Sequence, residues 1–227
     1  MTDGEAAATP TQALLRLITW LSPAFPVGAF AYSAGLEQAV RDGLVVSAPH
    51  LHRWLSIAIA RGAGWNDAVL LAEAYRSAGD GAALLAVADL AVAMAGSKER
   101  QAETVAQGAA FLAAARAWPH AVLDRLPEDT AYPVAVGAVA GAHGTGTEAA
   151  IAAYLHAQAS NAVSVAIRCG VTGQRDGVGI LAALEPEIEA AARRGAASTL
   201  DDLGTAAIAA DIATLRHESL NSRLFRS

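Results

Sequence analysis

The sequence predicts an all-α protein, a single-domain helical bundle of roughly ten helices joined by short loops. Three observations predict it. Apolar residues recur at helical spacing in segment after segment, as in Leu51, Leu55 and Ile59. No segment sustains the two-residue alternation, with β-branched and aromatic enrichment, that a strand needs. Hydrophobic residues make up 54% of the chain, and much of that content is alanine, the best helix former, which also permits close helix contacts.

Residues 1–10 read as a disordered tail, followed by a single helical domain over 11–227. Leu14, Ile18 and Leu21 fall at i, i+4 and i+7, so a helix runs from about Thr11 to Leu21. Pro23 and Pro26 stop it and force an extended corner. A second helix is expected near Ser33, whose hydroxyl would cap it, with Glu37 in the first turn where the helix dipole favours an acid. Ser47 and Pro49 open a helix over about 48–61. Gly62 and Gly64 separate it from 65–78, and Gly79-Asp80-Gly81 breaks the chain before 82–95. A helix over about 98–117 ends at Trp118-Pro119, and Tyr132-Pro133 begins an apolar helix over 133–142. Thr145 and Glu148 have capping-box spacing, so a long helix is expected from there to about Cys169, with Ile151, Leu155, Ala159, Ala162 and Ala166 on its apolar face. A helix near 174–193, a loop over 195–204 and a last helix over about 205–217 complete the bundle.

Charge and composition exclude several classes. The 227-residue chain carries a formal net charge of -6, which argues against nonspecific nucleic-acid binding, since phosphate contacts need clustered Lys and Arg. Cys169 is the only cysteine, so neither an intrachain disulfide nor a Cys-rich zinc site is possible. The N-terminus has acids where a signal peptide would be basic. The longest apolar runs fall short of the roughly 20 residues a transmembrane helix needs. The expectation is a soluble cytoplasmic protein with no membrane and no nucleic-acid partner.

Short motifs give little chemistry. Ala31-Tyr-Ser33-Ala-Gly35 resembles a nucleophile elbow, which would make Ser33 the nucleophile of a small serine hydrolase. An elbow needs a preceding strand and a later acid and histidine, so a structural serine in a corner is the better reading. The six histidines form no metal-binding motif, and a nickel-carrying role for His50, His52 or His143 has no spacing to support it. Gly141-Ala-His-Gly-Thr-Gly146 lacks a nearby lysine and a preceding strand, so it reads as a helix connection. Glu37 and Glu99 have no second carboxylate at useful spacing. Arg223, Leu224, Phe225 and Arg226 place large apolar residues between arginines near the end of the chain. That pattern fits an anchor, docked on a partner or back on its own domain.

Residues 14–45, LLRLITWLSPAFPVGAFAYSAGLEQAVRDGLV, resemble the urease accessory protein UreF family. That family opens with a leucine-rich helix, then a segment like SPxxPxGxFxYSxGLE, then AVxxGxV. Here those parts are Ser22-Pro23, Pro26, Gly28, Phe30, Tyr32-Ser33, Gly35-Leu36-Glu37, Ala39-Val40, Gly43 and Val45. Ser97-Lys-Glu-Arg100 with Gln107-Gly108, Gly173-Gln174 after Arg168, and Ser222-Arg-Leu-Phe225 are similar to later family segments. Many members carry Pro-Leu-Gly-Gln where this chain has Gly-Val-Thr-Gly-Gln.

The resemblance implies an all-helical protein that tends to dimerise and that acts in nickel delivery to apo-urease. It implies a chaperone or scaffold in metallocentre assembly, not an enzyme, with no cofactor bound tightly and nickel handled by the complex. The implied partners are UreD (UreH in some systems) and, through that complex, the GTPase UreG. Tyr32, Ser33, Gly35 and Glu37 are the residues expected to couple to the GTPase. Arg223, Leu224 and Phe225 are those expected to bind UreD or UreH. Pro23 and Pro26 would make the opening segment a rigid corner presenting Tyr32, Ser33 and Glu37 to a partner.

Overall fold

A computed structural model describes residues 8–227. Ten α-helices are present among them, with no strand: α1 (Pro10–Trp20), α2 (Leu36–Arg41), α3 (Ala48–Arg61), α4 (Ala63–Arg76), α5 (Gly81–Ala93), α6 (Lys98–Ala115), α7 (Tyr132–Ala142), α8 (Thr147–Arg168), α9 (Gln174–Ala196) and α10 (Ile208–His217). The all-α expectation holds. Most of the expected tail over 1–10 lies outside the described residues. Its last part is not a tail, because Thr9 caps α1 in a full capping box and Pro10 is the first helical residue.

The helix at the centre is α7. Every residue from Tyr132 to Ala140 is buried, as its unbroken apolar sequence requires. It lies so close to α4 that a Cβ added at Gly137 would overlap the Leu71 carbonyl oxygen, and one at Gly141 that of Tyr75. Two glycines four residues apart on one helix thus meet two carbonyls four residues apart on the other. Around this pair pack α3, α6, α8 and α9, and one cluster of buried apolar side chains runs from Leu17 to Phe225. Trp20, Phe25, Phe111 and Trp118 add an aromatic group, with Phe25 5.5 Å from Phe111 and Trp20 5.6 Å from Trp118.

Several local expectations are corrected. In α1 the stripe of Leu14 and Ile18 faces outward, and Ala13, Leu17 and Trp20 turn inward. Both sides of this helix are apolar, so periodicity finds the helix without saying which side the core takes. The chain between Pro23 and Gly28 is a string of turns, not an extended segment, held by Phe25 N–H to Ser22 O and Val27 N–H to Phe25 O. Helix α8 begins at Thr147 after Gly146, and Thr145 does not cap it. The Thr145 hydroxyl instead donates back to Ala140 O at the end of α7. Helix α9 continues three residues further than expected and accommodates Pro186 in its interior. The region 195–204 contains a 3-10 turn, Leu200–Asp202. No helix among the described residues is long and apolar enough to cross a membrane.

Candidate functional site

The corner after α1 is fixed by its own apolar residues. Phe25 and Val27 pack into the core, and Gly28 takes a left-handed φ of 72° before the 3-10 turn Ala29–Ala31. Helix α2 starts at Leu36, three residues later than expected, because Ala34 and Gly35 both adopt positive φ. Ser33 is therefore not its capping residue, although its Oγ accepts a long hydrogen bond from Glu37 N–H at 3.4 Å. Gly35 also meets α10: a Cβ there would press on the backbone and hydroxyl of Thr214.

The last residues of the chain lie on this corner. Arg226 N–H donates to Ala31 O, and Ser33 N–H donates to the main-chain oxygen of Ser227. The Ser33 hydroxyl donates to that same oxygen. Phe225 is buried, with the Arg168 guanidinium 4.2 Å from its ring centroid, and Arg168 donates to Phe30 O. Of the two alternatives for the tail, docking on its own domain is the one seen. Leu224 remains 63% exposed beside the buried Phe225, and Phe30 is 71% exposed.

Glu37 organises this contact. Its side chain is only 3% exposed. Leu224 N–H donates to both carboxylate oxygens at 3.0 Å, and Phe225 N–H donates to Oε2 at 3.1 Å. Arg41, one helical turn on, donates to Oε1 at 3.1 Å and also to Ser222 O. Burial pushes the Glu37 carboxyl up. The hydrogen bonds from Leu224, Phe225, His217 and Arg41 outweigh it and hold the group below the usual carboxylate range.

The second carboxylate that spacing did not reveal is Glu99, at the start of α6. His217, fully buried, lies between the two, with Nδ1 2.7 Å from Glu99 Oε2 and Nε2 3.5 Å from Glu37 Oε2. Arg223 pairs with the other Glu99 oxygen. Glu218 caps the first turn of α6, accepting from Lys98 N–H at 2.9 Å and Glu99 N–H at 3.3 Å. The Ser227 hydroxyl donates to Glu103 Oε2 at 2.8 Å. Glu103 belongs to a buried polar seam in which Arg100 reaches Asp67 at 2.7 Å and Tyr154 donates to Asp67 at 2.8 Å. Burial would lower the Arg100 guanidinium, but Asp67 and Glu103 hold it above its ordinary value. Sequence reading named Glu99 beside Glu37 without bringing the two together, and it singled out neither His217 nor Arg41. A helix-spacing argument reaches only Arg41, at i+4 from Glu37.

The structure thus brings Tyr32, Ser33, Gly35 and Glu37 together with Arg223, Leu224 and Phe225. It does not present Tyr32, Ser33 and Glu37 at the surface: all three are buried, and the tail bonds directly to Ser33 and Glu37. The hydrolase alternative finds no support. Ser33 bonds a main-chain oxygen and a backbone N–H, neither of which is a base, and a 3-10 turn precedes it instead of a strand. The three histidines considered for nickel do not gather. His50 and His52 sit on α3 and His143 closes α7, where its Nδ1 lies 2.9 Å from Arg16. Among the described residues no group of three or more His, Cys, Asp or Glu side chains is arranged to hold a metal ion.

Known proteins are similar in sequence to this chain over nearly its whole length. A family profile described as UreF matches residues 45–185. A Sinorhizobium medicae (strain WSM419) protein named urease accessory protein UreF is 62% identical over 217 residues, covering 96% of this chain and 97% of its own length. The protein of that name from Rhizobium meliloti (strain 1021) is 63% identical over the same coverage. One named urease accessory protein UreF 1, from Brucella canis, is 57% identical over 96% of each chain. With the profile spanning more than half of the chain and these relatives nearly all of it, the chain belongs to the UreF family.

Proposed function

We propose that this chain is a urease maturation factor, a non-catalytic scaffold that binds UreD (UreH) and the GTPase UreG and couples GTP hydrolysis to nickel insertion into apo-urease. Nickel is cargo of the assembled complex, and the chain holds no tightly bound cofactor of its own. The observation that carries the reading is the meeting of the two segments marked in the sequence. Glu37 and Phe225, 188 residues apart along the chain, are joined by a buried hydrogen bond, and Leu224 stands exposed at that junction. An exposed aliphatic side chain on a platform fixed by hydrogen bonds to the corner gives a partner an apolar group to cover. Arg223, Leu224 and Phe225 are assigned to UreD or UreH binding, with Leu224 the outward-facing member. Tyr32, Ser33, Gly35 and Glu37 are assigned to GTPase coupling. Homodimer formation, in the cytoplasm, belongs to the same reading. Exposed aliphatics on α1 (Leu14, Leu15 and Ile18) and on α10 (Ile208, Ile212 and Leu215) are consistent with further interfaces.

The test is co-expression with UreD and UreG of the same organism, followed by size-exclusion chromatography with light scattering. A complex of defined stoichiometry is expected. If the chain elutes alone while both partners are folded and soluble, the scaffold reading fails.

A further inference from the structure

An open cleft of about 630 Å³ lies where the last turn of α3, the first turn of α4, the last turn of α9 and the segment 197–206 meet. It shares no residue with the corner or the tail. Two arginines line it, and the sequence around each denies it a carboxylate. Helix α3 contains no acid at all, so Arg61 at its end has none one turn away. Arg194 has Ala190 at i−4, whereas its neighbour Arg193 has Glu189 there and pairs with it. Neither Arg61 nor Arg194 is in an ion pair among the described residues, in a chain where 22 acids face only 16 Lys and Arg.

Arg194 is nonetheless fixed. Its guanidinium lies 3.5 Å from the centroid of the Trp65 ring, and its Nη2 donates to Ala60 O at 2.7 Å. Trp65 is held in turn, because its Nε1–H donates to Asp202 O at 2.8 Å. The wall over 204–206 is pinned as well: Gly204 N–H donates to Asn66 Oδ1 at 2.8 Å, and Ala206 N–H donates to Arg61 O at 2.8 Å. The Nε and Nη1 groups of Arg194 make no hydrogen bond among the described residues, and neither does any part of the Arg61 guanidinium. A guanidinium held against an aromatic ring with one edge free can grip an oxyanion through two parallel N–H bonds. The one acid among the described lining residues, Asp202, is engaged in its own 3-10 turn, where Oδ2 accepts from Thr199 N–H at 2.9 Å.

We propose that this cleft is a binding site for a small molecule carrying a phosphate or carboxylate group, with Arg194 as the fixed bidentate donor and Arg61 as the second cation on the same group. Small-molecule sites occupy about 300–1,000 Å³, and this cleft falls in that range, larger than a bare ion needs. Ala60, Ala197 and Ala206 line the rest with short side chains, which leaves room for the body of the ligand. Trp65, Arg194 and the loop wall are already in place, so on the protein side binding has chiefly Arg61 to order. The site does not depend on the partners assigned above.

Isothermal titration calorimetry of the full-length chain with pyrophosphate and with citrate tests the proposal and separates the two anion chemistries. One-site, saturable binding of at least one of them is expected, roughly millimolar or tighter and weaker as salt is raised. The anion that binds more tightly assigns the group as phosphate or carboxylate. Arg194→Gln and Arg61→Gln should each weaken binding about tenfold or more. Arg61→Gln removes no internal side-chain contact among the described residues, so its loss cannot be put down to misfolding. Arg53→Gln removes an equally unpaired cation from α3, outside the cleft, and should leave the affinity unchanged. In a ¹H–¹⁵N spectrum the Trp65 indole peak, assigned through Trp65→Phe, should shift as the anion is added. Absence of saturable binding by either anion up to about 10 mM overturns the proposal. So does an equal loss of affinity in Arg53→Gln, which would show attraction to overall charge only, or a Trp65 indole peak that stays in place at saturation.

Discussion

Glu37 is an acid that serves as a structural acceptor, and its ionisation is tied to the tail contact. The carboxyl is held below its usual range in the folded chain because the hydrogen bonds it accepts outweigh the effect of burial. A group with a depressed folded value contributes stability that is fully present above its unfolded value. That stability is lost as pH falls through the folded one. Tail docking is therefore expected to be unaffected through neutral and mildly acid conditions and to weaken only below the ordinary carboxylate range. Limited proteolysis of the tail against pH checks this. The wild type should show acid-dependent cleavage, and Glu37→Gln should be cleaved more readily at neutral pH with a flatter profile. A profile for Glu37→Gln that overlays the wild type would detach the pH response from this residue.

Helices were legible in the sequence where local pattern decides and one face is plainly polar. Leu51, Leu55 and Ile59 mark the buried face of α3, and all three are buried. Ser97 and Asp80, which the sequence reading did not single out as caps, cap α6 and α5 through their side chains. What was not legible depends on contacts distant in sequence. Thr145 had a capping-box partner by spacing, yet its hydroxyl turns back to α7 because Gly146, with φ 87°, redirects the chain. The side of α1 that faces the core, and the convergence of Glu37, Glu99 and His217, are set by which helices become neighbours, which no spacing rule contains. Gly108 is a similar case: it reads as an ordinary weak helix position, but a Cβ there would overlap the Thr130 carbonyl oxygen where the loop before α7 crosses α6. Backbone cannot yield as a flexible side chain can. Gly108→Ala is therefore expected to destabilise by about 1–3 kcal/mol or more despite alanine's better helix propensity. Alanine at Gly179, which has open space around it, should be neutral or slightly stabilising. Urea unfolding of the two variants measures the contrast, and equal midpoints would mean the loop moves aside freely.

Across the molecule, the tail connects to the bundle through charge as well as apolar packing. Ser227 bonds Glu103, Gln107 bonds Glu103, Arg100 joins Glu103 to Asp67, and Tyr154 with Gln158 closes the seam on α8. One guanidinium therefore balances two carboxylates whose side chains are 11% and 4% exposed. Buried pairs of this kind add little over a well-packed apolar alternative, but removing one member leaves its partners buried and uncompensated. Arg100→Met is expected to cost about 3–5 kcal/mol. At about 2–4 °C of Tm per kcal/mol for a chain of this size, the loss should be plain in a thermal melt followed by circular dichroism. Arg100→Lys should recover only part of it. Arg100 reaches Asp67 with Nη2 and Glu103 with Nη1 at once, and a single ammonium has no such fork. The exposed pair Arg193–Glu189 sets the scale for an ordinary surface contact, and Arg193→Met should shift the melt little. Because Glu103 also holds Ser227, Arg100→Met should raise exchange in the tail even at temperatures where the bundle stays folded. A tail that stays fully protected while global stability falls would confine the seam to the bundle and leave Glu37 as the tail's principal charged support.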